Sequence, residues 1–203
     1  LIYKKQVYNF FIMSFIEQII DGSVNKAQVA TGNVISQKTY FARLGHATYN
    51  LIPNMIRELL AHFIHPNILL KTIPTRDLPY FTHADMQKIN EIRDTGYRGL
   101  DLTLMYRLIR EYVPSIQPSG AWGHLDNIQG HNVSLGDDIE RCRRIRNSIT
   151  HRSNTTVSYQ ELNDYFSVFK DVARRFEKVL GKEPNAFVSQ FEVLEKCSMD
   201  EDI

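Results

Sequence analysis

The stretch SLGDDIERCRRIRNSITH, running from Ser134 to His151, decides the fold of this chain. Ser134 followed three residues later by Asp137 is a helix-start signature, because the hydroxyl and the acid satisfy backbone N–H groups reciprocally. At about 100° per residue, with Cys142 set at zero, Leu135 falls near +20°, Ile139 near +60°, Ile145 near −60° and Ile149 near −20°. These five side chains make one apolar stripe, the mark of a helix that packs into a bundle. Arg146 falls near +40° on the same scale, inside that stripe.

Working outward, helical periodicity continues on both sides and no convincing run of strands appears. Ser158 and Glu161 repeat the start signature and open a helix that runs to Leu180, with Gly181 suited to its end and Pro184 to the first turn of a final helix over 184–197. Upstream, Thr82 and Asp85 open a helix that Gly96 and Gly99 close, and residues 100–112 follow with Leu100, Leu104, Leu108 and Tyr112 at helical spacing. Residues 39–64 read as one long helix carrying Leu44, Ala47, Leu51, Met55, Leu59 and Phe63, which Pro53 kinks or divides. Pro66 restarts a short helix over 67–72, which Pro74 stops. Residues 114–133, rich in Pro and Gly and holding Trp122, are the clearest long loop. A candidate helix over 5–20 and a polar linker over 22–37 precede the rest. The expected fold is therefore an all-α, antiparallel helical bundle over 39–180. Residues 1–36 add an N-terminal helix and linker, and 181–203 add a C-terminal helix and acidic tail.

Composition bounds the partners. The chain has 203 residues, 43% hydrophobic and 23% charged, with a net charge of +1. A chain this long buries roughly 70% of the surface its unfolded form exposes, enough for a core without staples. The net charge exerts no global pull on nucleic acid, so any such pull is local. Two cysteines, Cys142 and Cys197, form no CxxC pair, which argues against a disulfide framework or zinc site and fits a reducing, cytoplasmic setting. Cys142 reads as a small buried side chain. The longest apolar run, Phe10 to Ile16, is too short to span a bilayer and lacks a leader-type cleavage pattern, so no membrane partner is expected. The chain begins with Leu1 in place of Met and reads as a fragment of a longer protein or a processed one.

The chemistry concentrates in Arg146, Asn147 and His151. A guanidinium stays charged at any workable pH, and an unpaired buried charge costs several kcal/mol. Arg146 therefore either pairs with a carboxylate, snorkels out, or lines a cleft as an anion clamp, where its fork matches phosphate oxygens. Asn147 and His151 are four apart and share a face on a continuing helix. Arginine, amide and imidazole are suitable parts for metal-free phosphodiester chemistry: the His moves a proton to or from a ribose 2′-OH or leaving oxygen, and the Arg stabilises charge on the phosphorane. Arg146 and His151 are about 140° apart on an ideal helix, so the helix must end near Thr150, or a second chain must complete the site. Arg141, Arg143, Arg144 and Arg152 extend Arg146 into a strip without an intervening acid, a candidate RNA-binding surface. The alternative is a solvated face balanced by Asp137, Asp138 and Glu140 one turn earlier.

The block Ser134 to Arg141, with Arg144-Ile145-Arg146-Asn147 and His151-Arg152, resembles the HEPN family (higher eukaryotes and prokaryotes nucleotide-binding), defined by an Arg, four to six residues and a His. The branch it most resembles is the HEPN domain of DAZ-interacting zinc-finger ubiquitin ligases and of animal immune-receptor-like proteins. Further matches are Leu100 to Leu104, Arg107-Leu108-Ile109-Arg110, the Pro118 to Gly123 loop and Glu161 to Phe166. The resemblance spans roughly 39–180. It implies a bundle that homodimerises, two motifs meeting in a composite cleft, and metal-independent endoribonuclease activity that leaves a 2′,3′-cyclic phosphate. It also implies a place within a larger parent protein and a link to innate immunity. Some members bind RNA or serve as assembly modules without cleaving. Two functions follow: an RNA-directed endoribonuclease module, or a catalytically silent homodimerisation and signalling module in which Arg146 and His151 only pair across an interface.

The remaining candidates read as structural. His62, His65, His124 and His131 fit no standard metal spacing, so neither metal nor cofactor is expected. Trp122 reads as packing of the loop onto the bundle, with base stacking the alternative. Asp137 and Asp138 suit the positive end of a helix. Tyr97, Tyr106 and Tyr112 read as core or interface.

Overall fold

In the computed structural model the described residues are 30–74, 80–123 and 133–197. The expected helix over 5–20, His124, His131 and the acidic tail lie outside them. Among the described residues the protein is all-helical, with no strand.

Helix α1 (Ala30–His46) runs into a π turn (Ala47–Leu51) and then α2 (Ile52–Phe63). The division at Pro53 was expected; its form is new. Proline has no N–H and its ring crowds the carbonyl four residues back, so the chain widens into a π turn before it. Ile52 N–H accordingly donates to the Ala47 carbonyl, five residues back. Helix α1 begins well before the expected linker ends at 37, because a helix nucleated by its packed part extends through polar residues at little cost.

Short α3 (Pro66–Thr72) packs with α4 (His83–Thr95), which starts on the Thr82–Asp85 capping box. Then come α5 (Leu102–Tyr112), α6 (Leu135–Thr150), α7 (Tyr159–Leu180) and α8 (Val188–Lys196). Helix α7 is central: α1, α2, α6 and α8 all pack on it. Leu44, Ile56, Leu59, Leu108, Ile145, Phe166, Phe169 and Phe176 are fully buried in one continuous core. Tyr97, Tyr106 and Tyr112 belong to that core, and Tyr97 donates its hydroxyl to the Ile64 carbonyl at 2.9 Å.

Helix α8 is held at both ends. Glu177 of α7 accepts N–H bonds from Asn185, Phe187 and Val188 at 3.1, 2.6 and 2.9 Å, capping its start. Arg43 of α1 donates to the Glu195 carbonyl at 3.0 Å and to that of Cys197, capping its end. These Glu177 bonds gather 184–187 into a turn, so the last helix starts at Val188 and not at Pro184. Among the described residues no helix is long and apolar enough to cross a membrane.

Candidate functional site

Helix α6 carries the Ser134–Asp137 capping box, and its stripe packs as the angular pattern predicts: Ile139, Cys142 and Ile145 are fully buried and Ile149 nearly so. Burial pushes the Cys142 thiol well above its ordinary value, which leaves it unreactive.

The arginine strip is partly neutralised from within. Arg141 is only 3% exposed and donates to Asp138 at 2.8 Å, so the structure places this expected RNA contact in the interior. Arg175 of α7 grips the same carboxylate through Nε and Nη2, both at 2.7 Å. Arg143 and Arg144 share Glu140, which is 1% exposed. Arg143 also lies over the Tyr106 ring, and Arg144 donates to the Gly123 carbonyl. Arg152 pairs with Glu161 and donates to the Thr156 carbonyl. That pairing alters the third start signature: Ser158 accepts the Glu161 N–H, but the Glu161 carboxylate turns to Arg152. Each of these four arginines thus has a carboxylate partner, Arg143 and Arg144 sharing one, so the strip is only partly neutralised.

Arg146 differs. Among the described residues no carboxylate pairs with it. Its Nη1 donates to Asn147 Oδ1 at 3.1 Å, and its guanidinium carbon lies 5.8 Å from the ring centre of Tyr49 in the π turn. The side chain leaves the apolar stripe through the contact between α6 and the π turn, and its remaining donors stay open. Tyr49 was not read as a site residue from the sequence; the one signal was Pro53, which marks a helix break beside it.

His151 ends the helix. Its backbone leaves helical geometry (φ −100°, ψ 12°) and its N–H donates to the Asn147 carbonyl at 3.0 Å. The helix end expected near Thr150 is therefore present. The imidazole is exposed and has no hydrogen bond among the described residues, and no bond joins it to Arg146. Asn147 links the two by position: its amide holds Arg146 and its carbonyl holds the His151 backbone.

The other candidates are structural here. His65 Nδ1 accepts the Asn67 N–H at the start of α3, and His62 packs edge-on against Phe63. No cluster of three potential metal ligands occurs among the described residues. Trp122 packs edge-on against Tyr106, with ring centres 5.4 Å apart. Asp137 binds Ser119 and Ser134, and tethers the loop to α6.

The carboxylates that neutralise the strip set an acid limit. Burial alone raises the Glu140 carboxyl, but hydrogen bonds from Arg143 and Tyr106 and the charges of Arg143 and Arg144 outweigh it, so the net shift is downward. A carboxyl whose folded value is depressed stabilises the fold above its ordinary range, and that contribution is lost as pH falls through the folded value. Glu140→Gln is therefore expected to lower the urea midpoint at pH 7. Its deficit against wild type should shrink steadily below about pH 4.5, the ordinary glutamate value. An unchanged deficit in acid contradicts this assignment.

Comparison with curated proteins and with solved structures finds no match. A family model described as DZIP3/hRUL138-like HEPN matches residues 83–202. That span covers well over half of the chain, holds α4 to α8, and includes the whole Arg146, Asn147 and His151 block. The chain therefore belongs to the DZIP3/hRUL138-like HEPN family.

Proposed function

We propose that this chain is an RNA-directed module in which Arg146 receives a phosphate of single-stranded RNA, within a composite site completed by a second copy of the chain. The observation that carries this reading is the Arg146 guanidinium, free of any carboxylate among the described residues while its neighbours in the strip are paired. A half-buried guanidinium with no carboxylate beside it and with open donors is suited to a phosphate.

In the cleaving form, His151 takes the ribose 2′-OH proton or supplies one to the leaving 5′ oxygen. The 2′ oxygen attacks the phosphorus and the bond to the 5′ oxygen breaks, which leaves a 2′,3′-cyclic phosphate. Arg146 carries the charge that builds on the phosphoryl oxygens, and Asn147 holds Arg146 in place. Arg146 and His151 are not bonded to each other in one chain, and a homodimer supplies the missing partner across the interface. Arg152 beside His151, and Arg143 and Arg144 at the middle of the helix, are partly exposed and add weaker attraction, since Arg152 pairs with Glu161 and the other two share Glu140.

A second reading, binding or homodimerisation without cleavage, is favoured by one observation: nothing among the described residues orients the His151 ring. Incubation of the purified chain with single-stranded RNA in EDTA separates the two. The first reading expects metal-free cleavage to cyclic-phosphate ends, lost in His151→Ala by about a hundredfold or more while the dimer persists on size exclusion. RNA that stays intact with a verified dimer overturns the cleaving form and leaves the binding one.

A further inference from the structure

We infer that Tyr49, in the π turn, is the positioning residue that holds the Arg146 guanidinium open toward its phosphate; this rests on the RNA reading of Arg146 given above.

Three observations converge on it. The Tyr49 ring lies 5.8 Å from the Arg146 guanidinium carbon, within cation–π range. Its hydroxyl stands 2.7 Å from Thr150 Oγ1, on the last turn of α6 one turn beyond Arg146. Its backbone lies in the π turn forced by Pro53, a widening that commonly re-aims a side chain at a functional site. The ring is thus tethered at both ends, by its own π turn and by Thr150, and cannot swing away without losing a hydrogen bond. An arginine stem has several free torsions, and an untethered guanidinium would sample many of them. Contact through the ring face attracts the cation without consuming N–H donors, which Asn147 engages only at Nη1. A carboxylate in the place of Tyr49 would hold the guanidinium equally well but would neutralise it and occupy its fork. The aromatic ring holds it and leaves the charge unspent. Tyr49 is 36% exposed, so the contact sits at the surface where a polyanion reaches it. Tyr49 lies outside residues 83–202, the span of the family match, so the α6 motif is completed from the π turn, a part of the chain that the family model does not cover.

The test is a double-mutant cycle on the full chain, read as fluorescence-anisotropy affinity for a labelled single-stranded RNA. Thermal unfolding confirms that each variant is folded. Tyr49→Leu is expected to weaken binding roughly fivefold, the scale of a partly exposed cation–π contact. Tyr49→Phe keeps the ring and should retain most of the affinity. In an Arg146→Ala background Tyr49→Leu should have no further effect, a coupling that a merely structural role would not give. If Tyr49→Leu weakens binding equally with and without Arg146, Tyr49 contacts the RNA itself and the positioning role is overturned. If Arg146→Ala weakens binding and Tyr49→Leu does not, the positioning role fails while the RNA reading stands. If Arg146→Ala binds like wild type, both fail together.

Discussion

Replacing Asp138 with alanine is expected to remove about 3–5 kcal/mol of stability, the usual cost of deleting one partner of a buried ion pair. The carboxylate is fully buried and holds two guanidinium groups, Arg141 from its own helix and Arg175 from α7. Arg141 is itself 3% exposed, so losing Asp138 takes a charge partner from a buried cation. Arg175 cross-links α6 and α7 through two bonds in fork geometry. Asp138→Asn keeps the volume and an acceptor and should cost less. Urea unfolding followed by far-UV circular dichroism measures both. A loss under about 1 kcal/mol for the alanine variant would mean that water already reaches the cluster.

The second large effect is expected from Gly136→Ala. A Cβ built on Gly136 would lie 2.1 Å from Pro118 N and 2.3 Å from Gln117 C. Both are backbone atoms, so no side-chain rotation relieves the overlap. Ser119 is bonded to Asp137 through its N–H at 3.0 Å and its hydroxyl at 2.6 Å, which pins the 117–119 segment against the first turn of α6. Either the segment or the helix must move, and the Asp137 bonds break with it. Overpacking of this kind costs about 1–3 kcal/mol and occasionally more, while the gain in helix propensity is at most about 1 kcal/mol. The expected net loss is about 1–2 kcal/mol or more, read from the same urea curves. A variant as stable as wild type contradicts the close approach.

Both effects sit at the N-terminal end of α6, and the candidate site sits at its C-terminal end. That separation has a use. Variants at 138 and 136 test how α6 is held in the bundle, whereas variants at 146, 151 and 49 act where the helix ends.

Much of the fold was legible because its determinants are local. Ser134 with Asp137 and Thr82 with Asp85 form the capping boxes that their spacing announces, and the stripe from Ile139 to Ile149 is buried as its period requires. The charge pattern was less legible, because its meaning depends on neighbours distant in sequence. Five arginines between 141 and 152 look like a basic surface, yet Arg141 shares its carboxylate with Arg175, more than thirty residues on, and Arg152 is claimed by Glu161. Counting charges along one helix cannot separate a paired guanidinium from an open one. Tyr49 was illegible for the same reason: it meets Thr150 across 101 residues of chain, and only folding brings the π turn to the end of α6. The start signature at Ser158 was half realised because Glu161 had a stronger partner in Arg152 than a backbone N–H.

Among the described residues Arg146 is the open guanidinium in a strip of paired ones, and the salt dependence of RNA affinity reads it directly. Each phosphate contact on a single strand contributes about 0.7 to the slope of log affinity against log salt. Arg146→Ala should therefore flatten that slope by about 0.7 and weaken binding at least tenfold, the scale of a charge-assisted hydrogen bond. Arg143→Ala and Arg144→Ala, whose side chains are held by the Glu140 carboxylate they share, should each change it less. An Arg146→Ala variant with wild-type affinity and slope, alongside large losses at 143 and 144, would contradict the account.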